Sequence, residues 1–353
     1  MSAALHPSRL EFKPEELLAS PKLDAPLIAG GVRCHGGFDA DGRYVSPRTL
    51  WRNPAVKAWQ EQHLATSPHP LVEIPKDAIP PHLPSVAQAK LLLKEGVREP
   101  MVRTLTEIAI IEGFGATIRE LPVPPLASFL REDVTGTALS HLTGGLFEAH
   151  ARDEAGWGDE GGHKQMWEAA RDLALSNPKV PGDILMAIMG RRGGNARGGR
   201  ALPQFKEEVE RVLGFMTNVL IIEIFAASTF RWAEEVLSDP EVSDAPKEAA
   251  DMVRHIRADE SPHVEYLRTA LSEVSARTLI AEDGSTHSGH EIVQGLINRT
   301  LGFMIRQRGA DRRQQLHASI RASANGIVKD VEDLIQRFDA LETPWQPPAR
   351  FAA

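Results

Sequence analysis

The sequence predicts an all-α protein, and three observations carry that expectation. From Val86 onward apolar residues recur at i, i+3, i+4 and i+7 spacing, the period of a helix with one buried face. Runs of alternating β-branched residues are scarce. The breaks between periodic segments carry helix-ending chemistry: the proline-rich LPVPP at 121–125, Ser238-Asp239-Pro240 and Asp283-Gly284.

Taken in order, residues 1–85 read as an irregular extension. They are rich in Pro, Gly and isolated aromatics, GGVRCHGGFDADGRYVSP suggests turns with one short hairpin, and IPKDAIPPHLP cannot be regular helix. The spacing then predicts helices over roughly 86–95, 98–121, 136–156, 163–176, 181–190, 203–238, 244–276, 288–308 and 310–341. Long helices with short joints imply a bundle rather than a sheet. RRGGNARGGR (191–200) is too glycine-rich for helix and reads as a mobile connection.

Composition narrows the chemistry. In 353 residues, 42% hydrophobic and 25% charged, Cys34 is the only cysteine, so a metal site within one chain must be built from His, Asp and Glu. The net charge is −8 and no long basic stripe occurs, which argues against a nucleic-acid partner. Neither a secretory leader nor a run of about 18 apolar residues is visible, so the expectation is a cytoplasmic protein without a membrane span.

The informative segment is TNVLIIEIFAASTF (217–230). Glu223 sits in an apolar run that no helix rotation can turn to water without exposing large apolar neighbours. A buried, unpaired carboxylate costs several kcal/mol, so Glu223 must be protonated, paired or metal-bound. The same Ile-Ile-Glu-x-Phe-x-Ala pattern surrounds Glu112, which suggests an internal repeat over about 98–176 and 203–276. Each half continues with a partner segment, HARDEAGW (150–157) and HIRADESPH (255–263), that places a His four or five residues ahead of a Glu. Glu260 and His263 form Glu-x-x-His, whose i, i+3 spacing puts both on one helix face. Asp259 competes with Glu260 for the inward position, and the more specific Glu-x-x-His pattern favours Glu260.

These residues resemble the ferritin-like di-metal carboxylate superfamily, over about half the chain. Its members set a Glu from each of two helices against a Glu-x-x-His from each of two others, inside a four-helix bundle. The resemblance implies a ferritin-like bundle domain at 86–345 with accessory helices. Glu112 and Glu223 are then the lone glutamates, Glu260 with His263 one intact pair, and Glu154 the start of the other. The first half departs from the pattern, because Trp157 stands where the second His belongs. His163, reached across an insertion, and His150, one turn before Glu154, are the two candidates to replace it. Members that oxygenate arylamine nitrogen carry an extra His one turn before the Glu-x-x-His, and His255 lies about there. A His-x-x-x-Asp spacing also keeps a likeness to haem-oxygenase-like di-iron oxidases open.

Carboxylates mixed with imidazoles suit two iron ions, or manganese or an Fe/Mn pair, better than calcium. The expected function is an O₂-activating di-iron oxidase or oxygenase acting on a small organic substrate, with an external electron donor and a homodimer both compatible. Non-catalytic metal storage and a metal-free helical scaffold are the alternatives.

Overall fold

A computed structural model describes residues 9–75, 78, 83–193, 199–307 and 311–342. The chain opens with a short helix α1 (Pro14–Leu17), then a three-stranded antiparallel sheet of β1 (Ala25–Ala29), β2 (Val32–Phe38) and β3 (Tyr44–Val45), with β2 central. Helices α2 (Arg52–Thr66), α3 (Val86–Lys94), α4 (Glu99–Gly115), α5 (Phe147–Ala155), α6 (His163–Ala174) and α7 (Ile184–Gly193) follow. The two longest are α8 (Glu207–Leu237) and α9 (Pro246–Ser275). A small hairpin, β4 (Thr278–Ile280) and β5 (Thr286–Ser288), then leads to α10 (Gly289–Gln307), α11 (Asp311–Ala324) and α12 (Val331–Ala340).

The mainly helical class expected from the sequence is what the chain forms, with three corrections. Residues 52–66 are a helix within the stretch read as irregular, because Ala55, Val56, Trp59 and His63 bury one face. The helix expected over 136–156 forms only at α5: Gly144 and Gly145 leave helical geometry, and single turns of tighter or wider helix replace it. The helix expected over 310–341 is two, α11 and α12, separated by a turn at Gly326. Of the glycine-rich connection expected at 191–200, residues 191–193 instead continue α7, 194–198 lie outside the described residues, and so does the end of the expected bundle domain at 343–345.

Helix α8 is long and apolar enough to pass for a membrane span by length and composition, yet more than half of that stretch is buried in the protein. It is apolar because it runs through the core. Two apolar clusters fill the interior, and α8 and α9 pass through both. One cluster gathers Val212, Leu220 and Phe225 of α8 with Tyr266, Leu267 and Leu271 of α9. The other gathers Phe230, Ala233 and Val236 of α8 with Val253 and Ile256 of α9, Leu105 of α4 and Trp167 of α6. Between Ile256 and Tyr266 on α9 lie Asp259, Glu260 and His263, all buried. The polar layer is therefore sandwiched between two hydrophobic cores, where charge carries a heavy desolvation cost. A third, smaller cluster joins α3, α11 and α12 away from this layer.

Candidate metal centre

Four helical segments bring donors to the polar layer: α4 gives Glu112, α8 gives Glu223, α9 gives Glu260 and His263, and the broken pair α5–α6 gives His150, Glu154 and His163. The break follows from local chemistry. Gly156 ends α5 with φ +83, and a Cβ there would stand 2.3 Å from the Glu160 carbonyl oxygen. The chain makes a tight excursion closed by reciprocal Trp157–Glu160 backbone hydrogen bonds, and His163 restarts the helix at its first residue. The insertion carries the imidazole back to the level of Glu154.

Glu154 occupies the middle. Its Oε1 lies 3.6 Å from His150 Nε2, 3.4 Å from His163 Nδ1 and 3.2 Å from His263 Nδ1. Glu260 spans two imidazoles, with Oε1 at 2.9 Å from His163 Nδ1 and Oε2 at 2.9 Å from His263 Nδ1. Glu223 Oε1 is 3.4 Å from His150 Nε2, and Glu112 Oε2 is 3.7 Å from His163 Nδ1. Two overlapping sets of potential ligand atoms contain Glu154, His150/Glu154/Glu223/His263 and Glu154/His163/Glu260/His263, and a third, His35/His163/Asp259, lies beside them, the atoms of each set within 4.8 Å of one another. Gly115, one turn beyond Glu112, makes room: a Cβ there would lie 2.7 Å from the Glu154 Cγ.

The hydrogen bonds show what the layer lacks. Both oxygens of Glu154, Oε1 of Glu260, Nε2 of His150 and both ring nitrogens of His163 are buried without a well-formed hydrogen bond. Buried polar atoms are rarely left so, and all of these except His163 Nε2, which faces Asp259, cluster around Glu154 and Glu260. The titration behaviour agrees. Burial first, then the charges of Glu154 and Glu260, raise the Glu112 carboxyl to about 8. Burial, Glu260 and Glu154 likewise lift Glu223 well above the carboxylate range. Against the opposing effect of burial, His163 and His263 hold Glu260 well below its usual value, and Glu260 in turn raises both imidazoles. Four carboxylates crowd a space that two divalent cations would neutralise.

The N-terminal segment supplies an outer ring that the sequence reading does not anticipate. Asp153 accepts hydrogen bonds from Arg48 Nε (2.5 Å), Arg52 Nη1 (2.8 Å) and His263 Nε2 (2.9 Å). Although burial opposes it, the two guanidiniums keep Asp153 well below the carboxylate range. Asp259 plays the matching part in the other half, accepting from His35 Nε2 (3.0 Å) and Tyr44 Oη (2.7 Å), with His163 Nε2 at 3.6 Å. Arg48 Nη2 donates to His35 Nδ1 at 3.0 Å, which fixes the His35 proton on Nε2 and links the two aspartates. On the remaining imidazole, Tyr266 Oη meets His150 Nδ1 at 3.0 Å, leaving Nε2 aimed at Glu154 and Glu223. His263 and His150 are thereby hydrogen-bonded on the outer nitrogen and turned inward by the other, the arrangement by which outer partners orient metal-binding imidazoles, while the outer nitrogen of His163 faces Asp259 at 3.6 Å.

The structure therefore brings together Glu112, Glu154, Glu223, Glu260, His263, His150 and His163. His150 and His163, alternatives in the sequence, both arrive. His255 does not join them. Five residues before Glu260 is about 140° away around the helix, whereas His150, four before Glu154, is about 40° away. His255 instead stacks on Tyr44 with ring centroids 4.2 Å apart. Asp259 faces inward too, but onto His35, Tyr44 and His163. The signal for the outer ring is the Asp-Glu dipeptide repeated at 153–154 and 259–260.

Neither protein-family models, curated proteins nor solved structures give a match to this chain. The site is read on its own chemistry.

Proposed function

We propose that this layer is a di-metal centre of ferritin-like type, with four helical segments forming its bundle, and that it serves an O₂-dependent oxidase or oxygenase acting on a small organic molecule. The observation that carries the reading is the convergence of four carboxylates and three imidazoles between two apolar cores, several of their buried donor atoms lacking any hydrogen-bond partner. The mixed oxygen and nitrogen donors suit iron, manganese or an Fe/Mn pair. Glu154 and Glu260, each facing more than one imidazole, would be among the residues that hold the ions. His150 and Glu223 would serve one ion, and His163 and Glu112 the other.

When bound, a pair of ferrous ions supplies the electrons that reduce O₂, and an external donor restores them. The chain's own contribution is positional. Asp153 and Asp259 face the outer nitrogens of His263 and His163, and Tyr266 holds His150, so the donor atoms are placed before any ion arrives. The flanking cores exclude water from the layer, which limits side reactions. The test is metal analysis of protein expressed with iron and manganese available, followed by O₂ uptake with candidate substrates. Two ions per chain are expected. Absence of metal after reconstitution with ferrous iron would refute the reading.

A further inference from the structure

We propose that the substrate is a small, uncharged, apolar molecule that reaches the centre between α4 and α8, over Ile111 and Ile222. This inference rests on the di-metal reading above. Accessibility decides the direction of approach. The three imidazoles are fully buried and the Glu154 and Glu260 side chains are 2% and 6% exposed, while Glu112 and Glu223 keep 10% and 9%. Those two carboxylates are contributed by α4 and α8, two helices that barely touch each other among the described residues. The opposite side is shut: Arg48, Arg52, His35 and Tyr44 pack against Asp153 and Asp259.

The residues around the opening decide what can enter. Ile111 and Ile222 immediately precede Glu112 and Glu223 and are 40% and 37% exposed, and Phe114 and Ile224 beside them are half-buried. Single exposed apolar residues are ordinary on a protein surface. Two in equivalent positions, each one residue before a donor of the same centre, leave α4 and α8 with an exposed apolar residue at the level of the layer. Apart from the two glutamates, 108–118 and 212–230 contain no charged residue. Lys164 lays its stem across Gly113 of α4, but its ammonium is bound to Glu168 at 2.9 Å. An ionic substrate would shed its hydration against this apolar face without gaining a partner, whereas an apolar one is favoured by burial.

Cobalt(II) replaces iron in the test, because its absorption counts bound ions and its paramagnetism broadens the fluorine resonance of any molecule held nearby. The full chain is loaded with cobalt and mixed with 4-fluorotoluene or with 4-fluorobenzoate. The neutral probe is expected to broaden and the anion to remain sharp. Ile111→Trp with Ile222→Trp should keep the cobalt stoichiometry and cut the broadening by about tenfold or more, as filling a pocket does. Equal broadening of the anion, or unchanged broadening in the Trp variant with cobalt still bound, would overturn the proposal and leave the centre standing. Failure of the parent to take up cobalt would overturn both.

Discussion

The two halves of the centre present the same residue types by different routes. In the second half, Glu260 and His263 stand one turn apart on the unbroken α9. In the first half, Glu154 lies on α5 and His163 opens α6, with seven residues of excursion between the two helices. The difference teaches that an insertion between two donor-bearing helices can be more than tolerated. Gly161, at its far edge, exchanges backbone hydrogen bonds with β2: its N–H donates to Arg33 O at 2.8 Å, and His35 N–H donates to Gly161 O at 2.9 Å. That pairing delivers His35 to Asp259. The interruption meets the N-terminal sheet through its backbone, whereas the continuous half meets the same sheet through a side chain, Asp259, which accepts from His35 and Tyr44.

The largest test of this comparison removes what the halves share. Glu154→Ala should abolish binding of both ions, since Glu154 belongs to both overlapping sets of donors, whereas His163→Ala should lose one and keep the other. Metal analysis of the purified variants reads the result, and full occupancy in Glu154→Ala would dissolve the two-site description. Next comes the outer ring of the continuous half. Asp153→Asn leaves Arg48 and Arg52 facing a neutral amide in the interior, and breaking a buried ion pair costs about 3–5 kcal/mol. Denaturant unfolding of the metal-free chain measures it, and a loss below about 1 kcal/mol would mean that the pair is solvated.

His35→Ala sharpens the comparison from the interrupted side. Loss of an outer partner typically weakens metal affinity about 10–100-fold, and here the loss should fall on the ion bound by His163 alone. Competition with a chelator distinguishes the two ions, and equal weakening of both would disprove the assignment of His35 to one half.

The smallest effect concerns pH. Glu112, raised to about 8, and Glu223, also raised, bind protons in the folded state that the unfolded chain has already released. His163 and His263 shift in the same sense. Folded carboxyls with raised values stabilise fully below their unfolded pKa and lose that contribution as pH climbs through the folded one. The metal-free protein should therefore lose this contribution progressively from about pH 4.5 up to about 8, and added divalent metal should flatten the trend. Thermal unfolding with and without metal checks the sign.

How much of this is readable in advance depends on whether a residue stands in a contrasting context. Glu112 and Glu223 declare themselves because a carboxylate inside an apolar helix has few good explanations, and Glu260 with His263 because their spacing fits one helix face. His163 is ambiguous because two glycines hide its return to the centre. Arg48, Arg52, His35 and Tyr44 are unreadable: they lie in a polar, Gly-rich stretch, and nothing local shows that their partners are more than a hundred residues away. Asp153 and Asp259 are hard to read although each neighbours a donor, since one helix position turns a side chain about 100° and two adjacent residues seldom share a face. The broad apolar periodicity reveals the helices, while the breaks at Gly144–Gly145 and Gly326 are set by backbone geometry that periodicity does not register.

The contact between His35 and Asp259 joins residues 224 positions apart. During synthesis the N-terminal sheet leaves the ribosome long before α9 exists, so His35 still waits for Asp259 when Arg48 and Arg52 can already meet Asp153. Loop closure over such a span is slow and comes late. The donor set is therefore complete only once His263, about three quarters of the way along the 353 residues, has emerged.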